Sequence, residues 1–313
     1  MKITVVGSGG VGGYYGGRLA LAGADVTFVA RGAHKAAINA GGLQLELTGE
    51  NRTETVRSPA RELSELAGPL DLVLYCIKTT QDAELLPALA SLCGPTTWIL
   101  PLQNGVEAEE KLKKVCPGAQ ILGGTCYVSA LLEGPGKVRH YGSGLVTAGD
   151  IGMSGSGTAG KLEAIRDLFN RAKIPTSISA NIRLDKWRKL VWNAGLNPLT
   201  ALTNLLATDV ITNPDTRQLA RDGMIECIRV AQALDLPLTD ADADRHLAGT
   251  ATIKTVPTSM LSDRRAGKPV EIDAISGPII RNGEKHSIST PVARMYLTLL
   301  SGYNRSLESA GKP

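Results

Sequence analysis

Hydrophobic and polar positions alternate in a readable order at the start of the chain. Lys2 to Val6 is a short β-branched run, Gly7 to Gly13 is glycine-rich, Tyr14 to Ala22 is helix-compatible, and Asp25 to Ala30 is strand-like again. This is a βαβ pattern. Further strand-like runs, Asp71 to Ile77 and Thr96 to Leu100, flank a helical pattern at Gln81 to Leu92. Strands alternating with helices predict a parallel sheet covered on both faces. From Ala119 to Asp150, short strand-like pieces broken by Gly and Pro predict hairpins at a sheet edge, and a Gly/Ser-rich stretch then leads into a helix reaching Ala172. Beyond Ala180 the strand patterns nearly vanish. Helices are expected at Ile182 to Gly195, Pro198 to Leu206, Pro214 to Leu234 and Pro291 to Leu307. The chain is therefore expected to divide into an α/β domain, 1–179, and a mainly α-helical domain, 180–313.

Composition supports two ordinary globular domains. The 313 residues are 43% hydrophobic and 20% charged, a balance that excludes disorder and fibrous repeats. The net charge of +4 is not gathered into basic runs, which argues against a nucleic-acid partner and for a small anionic ligand. Five scattered cysteines read as reduced, mostly buried thiols of a cytoplasmic protein. The first apolar run is too short for a signal peptide, and no stretch approaches a membrane span. His34, His140, His246 and His286 have no metal-ligand spacing, so no metal is expected. No residue pattern specifies an oligomer, although a homodimer is compatible with this reading.

Of the 35 glycines, seven lie between Gly7 and Gly17. Gly7-Ser8-Gly9-Gly10-Val11-Gly12 fits G-x-G-x-x-G, placed after a predicted strand and opening a helix. There a dinucleotide pyrophosphate can approach bare backbone and a helix N-terminus, so the first domain is expected to be of the Rossmann type. A tight turn without a ligand is the alternative. At the end of the second strand, where NAD sites present Asp or Glu, stands Arg31, which favours the 2'-phosphate of NADP(H). The competing reading of Arg31 is a solvated loop charge. Lys78, just past a strand's carboxyl end, is a second candidate for phosphate or ribose.

In the second half, Lys189, Asn193 and Asn197 recur at i, i+4 and i+8, sharing one helix face over roughly 12 Å. An ammonium beside two carboxamides suggests a lined pocket. Asn197 could instead cap a new helix with Pro198 at its first position. Leu102-Gln103-Asn104-Gly105 follows a strand, which would set its amides near a nicotinamide. Ser259-Met260 and Glu271-Ile272-Asp273 flank a basic turn and by themselves read as surface or capping residues.

Taken in order, these landmarks resemble the ketopantoate reductase (2-dehydropantoate 2-reductase) family nearly end to end: Gly7 to Gly12, Arg31, Ile77-Lys78, Leu102 to Gly105, Lys189 to Ala201, Ser259-Met260 and Glu271 to Asp273. The resemblance implies NADPH-dependent reduction of a 2-oxo acid to a 2-hydroxy acid on the way to pantothenate and coenzyme A. It implies that Lys189 is the general acid protonating the carbonyl oxygen, and that Glu271 accepts a hydrogen bond from substrate and sets the lysine's environment. It makes Asn104, Asn193, Asn197 and Ser259 substrate-orienting groups. Departures are Val270, Ile275-Ser276-Gly277 and Ser287, none of which removes a carried-over group. A paralogue acting on another branched 2-oxo acid, or a non-catalytic NADPH sensor, are the alternative functions.

Overall fold

A computed structural model describes residues 1–252 and 257–310 and resolves two compact units, Met1–Gln103 with Ala108–Arg183, and Asn104–Glu107 with Leu184–Pro313. The first carries ten strands: β1 (Ile3–Val6), β2 (Val26–Val29), β3 (Leu43–Leu47), β4 (Arg52–Val56), β5 (Ala60–Arg61), β6 (Leu72–Tyr75), β7 (Trp98–Pro101), β8 (Gln120–Gly134), β9 (Lys137–Met153) and β10 (Thr176–Ser179). They form one sheet in the order β4-β3-β9-β8-β7-β6-β1-β2-β5, with β10 beside β9. Helices α1 (Gly10–Leu21), α2 (Gly32–Gly41), α3 (Asp82–Ala90), α4 (Ala108–Val115) and α5 (Thr158–Arg171) complete the unit. Strands β1 and β6 are buried along their whole length, as continuous apolar runs in a sheet covered on both faces should be.

The sheet is mixed, a parallel part joined to antiparallel pairs. β1, β2, β6 and β7 run parallel, but β8 and β9 form a long antiparallel pair, and β3 pairs antiparallel with β4. The region expected to give short hairpins at an edge is instead these two long strands in the middle of the sheet, with β7 on one side and β3 and β10 on the other. Register shifts near Ile121, Tyr127, Ser129 and Leu132 interrupt the alternation of β8 and bend it. Those bulges made one strand read as several. The bent pair passes over α1, where a Cβ built on Gly10 would lie 2.3 Å from the Ala130 carbonyl oxygen, and one on Gly13 would lie 2.7 Å from Val138. Part of the early glycine surplus thus lets β8 and β9 press on the helix.

The second unit is helical: α6 (Ile182–Thr203), whose first two residues belong to the first unit, then α7 (Ala207–Thr212), α8 (Pro214–Ala233), α9 (Asp240–Thr250), α10 (Ser259–Arg265), α11 (Ile272–Lys285) and α12 (Pro291–Ala310). Trp187, Leu190 and Val191 of α6 join Met224, Cys227 and Ile228 of α8 and Tyr296 of α12 in one core. The break expected before Pro198 does not occur, because α6 runs through it as a single helix. Proline cannot donate to the carbonyl four residues back and costs about 3 kcal/mol inside a helix. Here the apolar flanks, with Leu190, Leu196 and Leu199 buried, keep the helix continuous across it. Asn197 is accordingly not a cap.

Candidate active site

The glycine loop joins β1 to α1. Gly7 adopts φ +96, where side chains are strained, and a Cβ there would lie 2.7 Å from the Ile77 backbone nitrogen. At Gly12 a Cβ would lie 2.0 Å from the Gly7 carbonyl oxygen, so the turn closes only with glycine. Gly9 differs: nothing lies within 4 Å of its Cβ position, and as N-cap of α1 it leaves the helix terminus without a side-chain cap. An open approach to bare helical N–H groups fits a pyrophosphate. Gly10 and Val11 open the helix behind it. Ser8 is committed elsewhere, since its N–H and its hydroxyl both donate to the Val29 carbonyl at 3.4 and 3.0 Å.

Three further residues stand on segments that meet this loop. Arg31 is the N-cap residue of α2, directly after β2, and its exposed guanidinium pairs with Glu84. Lys78 opens the turn Thr79–Gln81 after β6, and the Gly7–Ile77 contact brings its segment beside the loop. His34, given no chemistry by the sequence, ties the loop down. Its Nε2 donates to the Ser8 carbonyl at 2.9 Å, and its Nδ1 accepts from Gly136 N–H at 2.9 Å, which defines the neutral ring with hydrogen on Nε2. No spacing in the sequence announces that bridge.

In the second unit the polar stripe of α6 is real. Asn193 and Asn197 are buried and Lys189 is half-buried. Lys189 Nζ donates to Asn104 Oδ1 at 3.1 Å. Asn197 Oδ1 is buried and finds no hydrogen-bond partner among the described residues. Leaving such a group unpaired costs about 1–3 kcal/mol, so the stripe is built to receive a donor. One turn on, the Thr200 hydroxyl meets the Thr258 hydroxyl at 2.8 Å, and Thr258 caps α10 by accepting from Leu261 N–H at 3.1 Å. That pair sets the exposed Ser259 at the end of the stripe. Neither threonine was singled out as a site residue, because their partnership spans 58 positions.

Glu271 occupies the N-cap position of α11 and is half-buried. Its neighbour Val270 is pinned by Asn304 of α12, which accepts from the Val270 N–H and donates to the Val270 carbonyl, both at 2.9 Å. The backbone is thus fixed whatever side chain stands at 270. The two amides after β7 part company. Gln103 stays in the first unit, donating to the Ile77 carbonyl at 2.9 Å and to Asp82 at 2.8 Å, whereas Asn104 belongs to the second unit. Lys189, Asn104, Asn193, Asn197, Ser259 and Glu271 therefore come from four separate stretches of one unit. An ammonium oriented by an amide oxygen on a helix that also carries a buried unpaired acceptor can bind a polar anionic molecule and pass it a proton. Among the described residues no cluster of His, Cys, Asp and Glu could hold a metal, and no described helix is long and apolar enough to cross a membrane.

Residues 3–152 match the family model described as Ketopantoate reductase PanE/ApbA, and residues 181–304 match Ketopantoate reductase PanE/ApbA C terminal. A 2-dehydropantoate 2-reductase of Mesorhizobium japonicum is 30% identical, the alignment covering 96% of this chain and 97% of that protein. Among solved structures, a PanE/ApbA family ketopantoate reductase from Ralstonia eutropha JMP134 superposes with TM-score 0.88 at 31% identity, over 98% of this chain and 100% of that one. A D-mandelate dehydrogenase solved with NADH and anilino(oxo)acetate reaches TM-score 0.90 at 26% identity, over 98% and 100% of the two chains.

Proposed function

Because the chain belongs to the ketopantoate reductase family, we propose that it reduces 2-dehydropantoate to pantoate with NADPH. The observation that carries this reading is the Lys189 ammonium held on Asn104 at the head of a buried amide stripe. NADPH, held by the Gly7–Gly12 loop and by Arg31 and Lys78, would supply the hydride. The residues of the chain do the rest. Asn104 takes one of the three ammonium hydrogens and so aims the head group. Lys189 donates a proton to the carbonyl oxygen of the 2-oxo acid as negative charge develops there, which turns carbonyl into hydroxyl. The unpaired Asn197 Oδ1 accepts a hydroxyl of the substrate, and Asn193 and Ser259 hold its polar groups. Glu271, fixed at the start of α11, accepts a second hydrogen bond from substrate.

Lys189→Ala should lower kcat with 2-dehydropantoate about 10²- to 10⁴-fold and leave NADPH affinity unchanged. Equal rates in the two proteins would remove the assigned role. The likeness to a D-mandelate dehydrogenase favours one second reading, a reductase of another bulky 2-oxo acid. Steady-state rates over a panel of 2-oxo acids separate the two, because a hydroxylated substrate should gain from Asn197 and a purely apolar one should not.

A further inference from the structure

The segment Asn104–Glu107 is only four residues long, yet it carries the acceptor that orients Lys189. It is fastened to α11 at two points. At Gly105, φ is +90 and a Cβ would lie 2.6 Å from the Ala274 carbonyl oxygen, so the backbone sits directly on the first turn of the helix. At Glu107, both carboxylate oxygens are taken by Arg281, at 3.0 Å from Nε and 2.6 Å from a terminal nitrogen, in the two-pronged geometry that fixes direction as well as distance. The other terminal nitrogen of Arg281 donates to Asp273 at 2.9 Å. Beneath this cluster lies Gly277, where a Cβ would come within 2.4 Å of Asp273 Oδ1 and 2.5 Å of the guanidinium. A half-exposed ion pair contributes little to folding, about 0–1 kcal/mol. Its value must therefore be sought in geometry.

We infer that Arg281 is a positioning residue for the Lys189 site, acting through Glu107 and the Asn104–Glu107 segment to hold the Asn104 oxygen on the lysine ammonium. The inference rests on the proposed reduction, since it assigns a role within it. Gly105 is held on Ala274 by packing alone, whereas Glu107 carries the directional bonds, so slack at Glu107 loosens the whole four-residue segment and moves the Asn104 oxygen. Displacements near 1 Å cost roughly 10²-fold in rate even when made far from the chemistry.

The test is a double-mutant cycle on the full chain, with Arg281→Ala and Glu107→Gln each made alone and together with Asn104→Ala. Each single variant should lose about 10- to 100-fold in kcat with unchanged NADPH affinity. In the Asn104→Ala background, adding Arg281→Ala should change kcat by less than about twofold. Gly277→Ala, which displaces the pair without touching Glu107, should reproduce the loss. The same fold-loss in both backgrounds, or a wild-type kcat in Arg281→Ala, would overturn the inference. Amide hydrogen exchange of residues 105–107 supplies a readout without turnover. It should accelerate in Arg281→Ala, and unchanged exchange defeats the clamp. If the wild-type protein turns over no 2-oxo acid, the proposed function fails and the exchange measurement still decides the clamp.

Discussion

The two candidate binding regions are made of different material. Around Gly7 to Gly12 the working groups are backbone N–H donors, and the side chains matter mainly by being absent. Around Lys189 the working groups are side chains, gathered from positions 104, 189–197, 258–259 and 271 and held by partners that themselves do no chemistry. A backbone site is compact in sequence because successive peptide groups must point one way. A side-chain site can be scattered, and its precision comes from braces such as Asn304 and Arg281.

That contrast can be attacked directly. The most damaging substitution should be Gly12→Val, since its Cβ cannot share space with the Gly7 carbonyl. Losing two hydrogen bonds to a charged pyrophosphate would weaken NADPH about 10²- to 10⁴-fold by fluorescence titration. Binding within tenfold of wild type would show that the loop is not the cradle. Next comes Arg31→Ala. It should weaken NADPH about 10- to 100-fold and leave NADH unaffected, so a parallel loss for both cofactors would make Arg31 a mere partner of Glu84.

The smallest expected effect concerns stability. His140 stacks on Tyr14 of α1 at 4.0 Å, and burial, helped by the nearby Arg18, holds its pKa below the usual histidine value. His246, half-buried in the helical unit, is shifted the same way by desolvation. A histidine depressed in the folded state binds its proton more readily once unfolded, so stability falls as pH drops below about 6.5. Melting temperatures should decline from pH 7 to 5, and His140→Gln should flatten part of that slope. A flat wild-type profile over the window contradicts this.

Much of this was legible beforehand, and unevenly. The β1–α1–β2 start and the strands β6 and β7 follow from short apolar runs beside glycine, which local physics decides. The stripe Lys189-Asn193-Asn197 was also readable, because helix periodicity alone puts those side chains on one face. The unbroken passage of α6 through Pro198 was not readable, since packing overrode a local breaker. Nor was the long β8–β9 pair, whose bulges scramble the alternation that marks a strand. Glu271 and Ser259 carried no signal beyond capping chemistry. Their assignment came from family resemblance, and what the structure adds is the bracing of their neighbours, Val270 by Asn304 and Thr258 by Thr200.

The bent β8–β9 pair also sets a timetable. Ala130 and Val138, which press on Gly10 and Gly13, stand more than a hundred positions downstream of them. During synthesis, residues 1–30 leave the ribosome long before this support exists, and contacts so distant in sequence close slowly. The glycine loop is therefore written long before the strands that secure it. A fragment ending before β8 would carry every letter of the glycine motif without the surface that α1 leans on.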